Sequence, residues 1–175
     1  MLGSLLVVIL GFALTSVSQG QTTQVCIRDQ VGLGGPAAAA FRKELDELAT
    51  IKVPSGACEG SVQITILWDP PERYPSALGV TWVASGHVLP RIEIYLNPVL
   101  RLLHNVRAPA WVGRALARVA AHEVIHYRSQ RTGHDAAGLF AASFSPSDLK
   151  PQPRAELHRS GATHGIGDLP EFGVR

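Results

Sequence analysis

The chain has 175 residues, with 16 Lys and Arg against 14 Asp and Glu, a formal net charge of +2, 46% apolar and 17% charged residues. This length suits one domain, and the composition excludes a disordered or acidic-tail protein. The near balance of charge supplies no broad basic footprint, so nucleic acid is not an expected partner.

In chain order, Met1 to Gly20 reads as a secretory signal. Leu2 to Leu14 is almost wholly apolar. It is too short for the roughly 20 residues that span a bilayer, yet it fits an apolar signal core. Small residues follow (Ser16, Ser18, Gly20), placing cleavage after Ser18 or Gly20. The segment has no Lys or Arg before its apolar run, and a buried N-terminal helix or strand is the competing reading. No later stretch reaches membrane-spanning length, so a secreted or periplasmic monomer is expected. Export bears on the two cysteines: an even count in an oxidising compartment favours a Cys26–Cys58 disulfide. Its loop of about 33 residues would contribute roughly 3–4 kcal/mol in the chain-entropy view. The alternative is two free thiols; their spacing matches no cysteine-based zinc pattern.

Gln24 to Val31 is a strand candidate, ended by Gly32, Gly34, Gly35 and Pro36. Pro36 to Thr50 reads as an amphipathic helix, with Phe41, Leu45 and Leu48 on one face. Ser61 to Trp68 alternates as a half-buried strand until Asp69-Pro70-Pro71. Leu78 to Ala84 and Arg91 to Leu96 are further strands, the second stopped by Asn97-Pro98. Trp68, Trp82 and Trp111 are expected in the core. Pro109 to about Arg131 is the longest helix, with Pro109 in its first turn. A second apolar patch follows (Leu139, Phe140, Phe144), then a Pro- and Gly-rich tail from about Ser145. The order predicts an α+β fold with a small mixed β-sheet. The expected division is 1–20 signal, 21–145 folded domain and 146–175 tail, extended or partly disordered apart from a short helix near Ser147.

The long helix carries His122-Glu123-Val124-Ile125-His126, an H-E-x-x-H match. At 100° per residue, Val112, Ala115, Val119, His122 and His126 share a sector about 80° wide. Glu123 borders that sector, and Arg114, Arg118 and Arg128 fall opposite. Two imidazoles one turn apart can bind one ion, and Zn2+ favours imidazole nitrogen. Glu123 then stands beside a zinc-bound water as its general base, the arrangement of a zinc-dependent peptidase. A third ligand is required. His134 is the first candidate, with Gly133 before it as a positive-φ residue ending the helix, ahead of Glu156. His87, His104, His158 and His164 lack such spacing.

The stretch Arg118 to Phe144, RVAAHEVIHYRSQRTGHDAAGLFAASF, resembles the zincins, specifically metzincin-like zinc metallopeptidases. It is most similar to small exported bacterial proteins whose motif runs A-H-E-x-x-H, seven residues, His, three residues, Gly-Ile-Met, then an aromatic. The resemblance implies a zincin-like fold, His122, His126 and His134 as metal ligands, and Glu123 as the catalytic carboxylate. Gly138-Leu139 matches the Gly-Ile, Phe144 the aromatic, and the strand Arg91 to Leu96 the zincin edge strand, which could pair with an extended peptide or be an ordinary sheet strand. Phe140 stands where the family has the Met that packs beneath the ligands, and Gln130 where the small group has Gly. These departures keep open a catalytically inactive zincin-fold protein that binds zinc or a partner peptide. The expected substrate is a peptide or protein; Tyr95, Tyr127, His158 and His164 are candidate oxyanion stabilisers. A chance H-E-x-x-H in an unrelated globular domain is the third reading.

Overall fold

The structure is a computed structural model; it describes residues 22–52, 58–104, 106 and 108–149. The sequence-derived signal at 1–20, Glu156, His158, His164 and most of the tail lie outside those residues.

β1 (Thr23–Asp29) opens the domain. It ends where the Asp29 carboxylate accepts hydrogen bonds from the backbone N–H groups of Val31, Gly32 and Leu33, at 3.0, 2.9 and 2.7 Å. Three satisfied donors turn the chain toward α1 (Gly35–Ala49), which begins at Pro36 in its first turn. Two short parallel residues, β2 (Ile51–Lys52), return beside β1. β3 (Val62–Leu67) pairs parallel to β1 on its other side.

β4 (Gly79–Ala84) and β5 (His87–Tyr95) form a hairpin. Its two-residue turn places Ser85 and Gly86 at φ 51° and 76°, the double positive φ that matches strand twist. β5 therefore starts earlier than Arg91. Its second half, Arg91 to Tyr95, pairs parallel with Gln63 to Leu67 of β3. The sheet order is β2-β1-β3-β5-β4. The strand Arg91 to Leu96, expected at the sheet edge, is interior; β4 is the terminal strand and the one antiparallel member.

β5 ends just before Asn97-Pro98, as expected, and the chain passes directly into a helix. α2 (Leu96–Leu102) places Pro98 in its first turn, where a missing N–H costs nothing. α3 (Pro109–Ser129) then crosses α1 so closely that a Cβ on Gly113 would lie 2.1 Å from the Ala37 carbonyl oxygen. Val25, Val62, Ile64, Ile66, Ile92 and Ile94 of the sheet share one core with Phe41 and Leu45 of α1 and Leu116 and Val119 of α3. The result is an α+β fold with a five-stranded mixed sheet and three helices among the described residues.

Two expectations are corrected. Trp68 and Trp111 are 53% and 39% exposed. Trp82 is half-buried, with the Arg73 and Arg91 guanidinium carbons each 4.7 Å from its ring. Arg118, on the helix side opposite the histidines, is buried against α1, donating to Glu44 at 3.0 Å and to the Asp148 carbonyl at 2.6 Å. The core also reaches past Ser145, because Leu149 is 1% exposed within it. Residues 146–149 form a turn, tied by Asp148 to Ser145. Cys26 and Cys58 are disulfide-bonded, with Cα atoms 5.5 Å apart. No described helix is long and apolar enough to cross a membrane.

Candidate metal centre

α3 is rich in alanine over the turns that meet its neighbours: Ala115, Ala117, Ala120 and Ala121 are fully buried. Small side chains let the helix lie deep, so its last two turns carry His122, Glu123 and His126 in at 6–8% exposure. Such burial of polar groups requires partners.

The imidazoles find theirs in the segment after the helix. His122 Nδ1 donates to the Leu139 carbonyl at 2.9 Å, and His126 Nδ1 to the Arg131 carbonyl at 2.6 Å. A carbonyl oxygen only accepts, so these contacts place the proton of each neutral ring on Nδ1 and leave Nε2 as a bare lone pair. His126 Nε2 then lies 3.1 Å from His122 Nε2 and 3.1 Å from His134 Nε2. Candidate donor atoms of all three residues fall within 4.8 Å of one another. Lone pairs facing each other at this range repel unless a cation sits between them. Tetrahedral zinc, with bonds of 2.0–2.1 Å, needs ligands roughly 3.3–3.4 Å apart. The donor set and its spacing therefore fit a metal ion. Burial pushes all three imidazole pKa values down, His122 to about 4, which keeps the rings neutral and ready to ligate.

His134 is delivered by a different device from the one expected. Gly133 does not adopt positive φ; Gln130 ends the helix instead, at φ 51° and ψ 33°. The chain returns through Arg131 and Thr132 to His134. Asp135 N then donates to the Phe140 carbonyl at 2.8 Å. A second turn follows, with Ala141 N donating to the Gly138 carbonyl at 3.2 Å and Gly138 at φ 85°. That turn presents the Leu139 carbonyl to His122 and seats Phe140 beneath the site. The Phe140 ring, 7% exposed, lies 5.4, 4.6 and 5.8 Å from the His122, His126 and His134 rings. Phe144 packs 5.5 Å from His122.

Glu123 faces β4. Its Oε2 accepts from Thr81 Oγ1 at 2.6 Å, and its backbone carbonyl lies 3.2 Å from the same hydroxyl. Burial raises the carboxyl pKa to about 7 against the lowering by Thr81. Gly79 permits the approach: a Cβ there would lie 2.8 Å from Val119 Cγ1 and 3.0 Å from Glu123 Oε1.

His122, Glu123, His126 and His134 all line one cleft of about 780 Å³. Leu78, Gly79, Val80 and Thr81 form its strand-side wall, and Ala141 to Phe144 the opposite one. Tyr95 and Tyr127 do not line it. Tyr95 is fully buried and donates to Glu93 at 2.9 Å, and Tyr127 packs against the core. Tyr74 does reach the cleft, and its position in a Pro-rich loop gave no signal for that. The carbonyls of Leu139 and Arg131 were equally hidden, because main-chain acceptors carry no residue signature, and so was Thr81, whose meeting with Glu123 depends on tertiary packing 42 residues away in sequence. No family model matches the chain, and neither the curated proteins nor the solved structures contain a significant match to it.

Proposed function

We propose that the protein is an exported zinc-dependent peptidase of zincin type. The observation that carries this reading is the convergence of three imidazoles, two of them with Nε2 left bare by an Nδ1 hydrogen bond, beside a buried carboxylate in one open cleft. Three nitrogen ligands leave a fourth position free, the pattern of catalytic zinc sites. His122, His126 and His134 would hold the ion. Zinc, when bound, supplies Lewis acidity that polarises a carbonyl and acidifies water. The Glu123 carboxylate is the proton carrier: an Oε atom takes a proton from the attacking water and returns it to the departing amine nitrogen. A carboxyl near pH 7 suits both transfers. Thr81 fixes its orientation.

An extended peptide fits the edge of the sheet. β4 is terminal, and Gly79, Val80, Thr81 and Val83 of it, with Leu78 just before, line the cleft. Main-chain pairing would hold the peptide without side-chain selectivity. The disulfide Cys26–Cys58 accords with export.

The deciding experiment measures zinc per purified chain together with hydrolysis of a peptide library. One zinc per chain, with hydrolysis abolished and metal retained in Glu123→Gln, is the expected result. Full activity in that variant would remove the assigned mechanism. Phe140, in place of a flexible Met beneath the ligands, favours a second reading, an inactive zinc-binding protein of the same fold. Zinc bound with no hydrolysis of any library peptide selects it. No zinc, and unchanged stability on chelation, excludes both.

A further inference from the structure

We propose that Gln130 is the positioning residue of the third metal ligand, acting through a side-chain latch onto the β4–β5 hairpin. The proposal rests on the metal-binding reading above and adds to it a device that the H-E-x-x-H motif does not contain.

His134 differs from the other two histidines. His122 and His126 are each oriented by an Nδ1 hydrogen bond to a main-chain carbonyl. His134 Nδ1 is buried and has no hydrogen-bond partner among the described residues. Its ring direction is therefore set by where the main chain puts residue 134. Downstream, Asp135 is tethered to Phe140. Upstream, Arg131 is held to His126 and Asp135, within the site itself; the tie from this loop to the sheet is made by Gln130.

Gln130 holds a left-handed backbone conformation that glycine adopts freely and glutamine does not favour. What the glutamine adds is its carboxamide. Oε1 accepts from Val88 N at 3.1 Å; Nε2 donates to Val88 O at 3.2 Å and to Tyr127 O at 2.7 Å. Val88 belongs to the part of β5 that extends beyond β3, whose pairing starts at Arg91. The carboxamide thus takes the place of a neighbouring peptide group, donating and accepting as a strand would. It clamps the C-terminus of α3 to the hairpin that forms one cleft wall. Residue 131, the next in the chain, supplies the carbonyl that orients His126. One side chain therefore fixes the starting point of the loop that serves two ligands.

The test separates latch from turn. Gln130→Gly keeps access to the left-handed turn and removes the carboxamide. Zinc affinity is measured by competition with a chromophoric chelator, beside the thermal midpoint of the metal-free protein. A weakening of about 10–100-fold, the usual effect of losing an outer-shell partner, with little change in the metal-free midpoint, is expected. A purely structural glutamine would lower the midpoint and leave the zinc affinity of the folded protein unchanged, and that result overturns the proposal. If wild-type protein binds no zinc, the metal reading itself fails, an outcome distinct from wild-type binding with an unaffected variant. Should the variant not fold, amide exchange on the wild type decides. The Val88 amide is expected to be protected and to gain protection on zinc addition; rapid exchange, or none gained, overturns the latch.

Discussion

The Thr81 hydroxyl on the edge strand donates a 2.6 Å hydrogen bond to Glu123 Oε2 on the long helix. It ties the proposed base to the strand on which a peptide would lie. Replacing Thr81 with Val removes the donor and keeps the shape. A buried carboxylate that loses its partner costs about 1–3 kcal/mol, and the freed carboxylate no longer has a fixed direction. Thr81→Val is therefore expected to lower kcat more than it raises KM, with Thr81→Ser restoring most of the loss. Equal kcat in wild type and Thr81→Val would show that the hydroxyl does not orient the base.

Burial also makes Glu123 a source of pH-dependent instability in the metal-free protein. Its carboxyl keeps a proton up to about 7 when folded and loses it near 4.5 when unfolded. Between those values the folded form binds more protons, so this group's contribution falls as pH rises through the window and is level above it. His122 acts in the opposite sense. Its pKa falls from 6.5 to about 4 on folding, so stability from this group rises with pH across that interval. In chelator-treated protein, Glu123→Gln is thus expected to raise the thermal midpoint progressively from pH 4.5 to 7 and by a constant amount beyond. A midpoint difference that does not vary with pH would contradict the burial of an ionisable carboxyl here.

Phe140 tests how much the packing beneath the ligands matters. Its ring contacts all three imidazoles, and truncation to Ala should cost about 3–5 kcal/mol with loss of tight metal binding. Phe140→Met restores a flexible apolar side chain of smaller volume. It should keep the fold and the metal at a cost below about 1.5 kcal/mol, measured by chemical unfolding with zinc present. A Met variant that loses zinc would mean that the aromatic ring itself, and not merely apolar filling, organises the site.

Leu149 is fully buried in the shared core, and the neighbouring Asp148 carbonyl accepts from the buried Arg118. Leu149→Ala should destabilise the domain by about 2–5 kcal/mol. Truncation after residue 145 is expected to be more damaging, since it also strips Arg118 of one acceptor. A truncated chain with wild-type unfolding behaviour would place the end of the folded domain at 145 after all.

The pattern of polar and apolar residues made much of this legible. Period-two alternation located β1 and β3, and a helical period located α1 and α3, because each buries one continuous face. The convergence of the three histidines was readable because one helical turn brings His122 and His126 together and a short loop can return His134 to them. Three things were not. β5 was read short at its start, since His87 to Pro90 alternates weakly and is recruited by the tight Ser85-Gly86 turn. The edge position passed from the expected strand to β4, because strand order is a tertiary property without local signature. Gln130 took the turn assigned to Gly133, because tethering by its side chain outweighs a backbone preference worth about 1 kcal/mol. The helical angle places Arg118 opposite the histidines and no more; only the crossing of α1 reveals its partner Glu44.

Gly79 has a side chain of one hydrogen atom, yet it sets how closely the edge strand approaches the long helix. Helix and strand approach until Val119 and Glu123 fill the space a methyl group would occupy. The carboxylate's location is therefore encoded twice, once in the helix that bears it and once in the strand that yields to it. A single methyl added at Gly79 would intrude on Val119 and Glu123 from the facing strand while leaving every member of the H-E-x-x-H motif intact. Sequence change on β4 can thus displace the proposed base from 44 positions away along the chain. The motif alone does not specify the site; the width of the gap facing it is inherited separately.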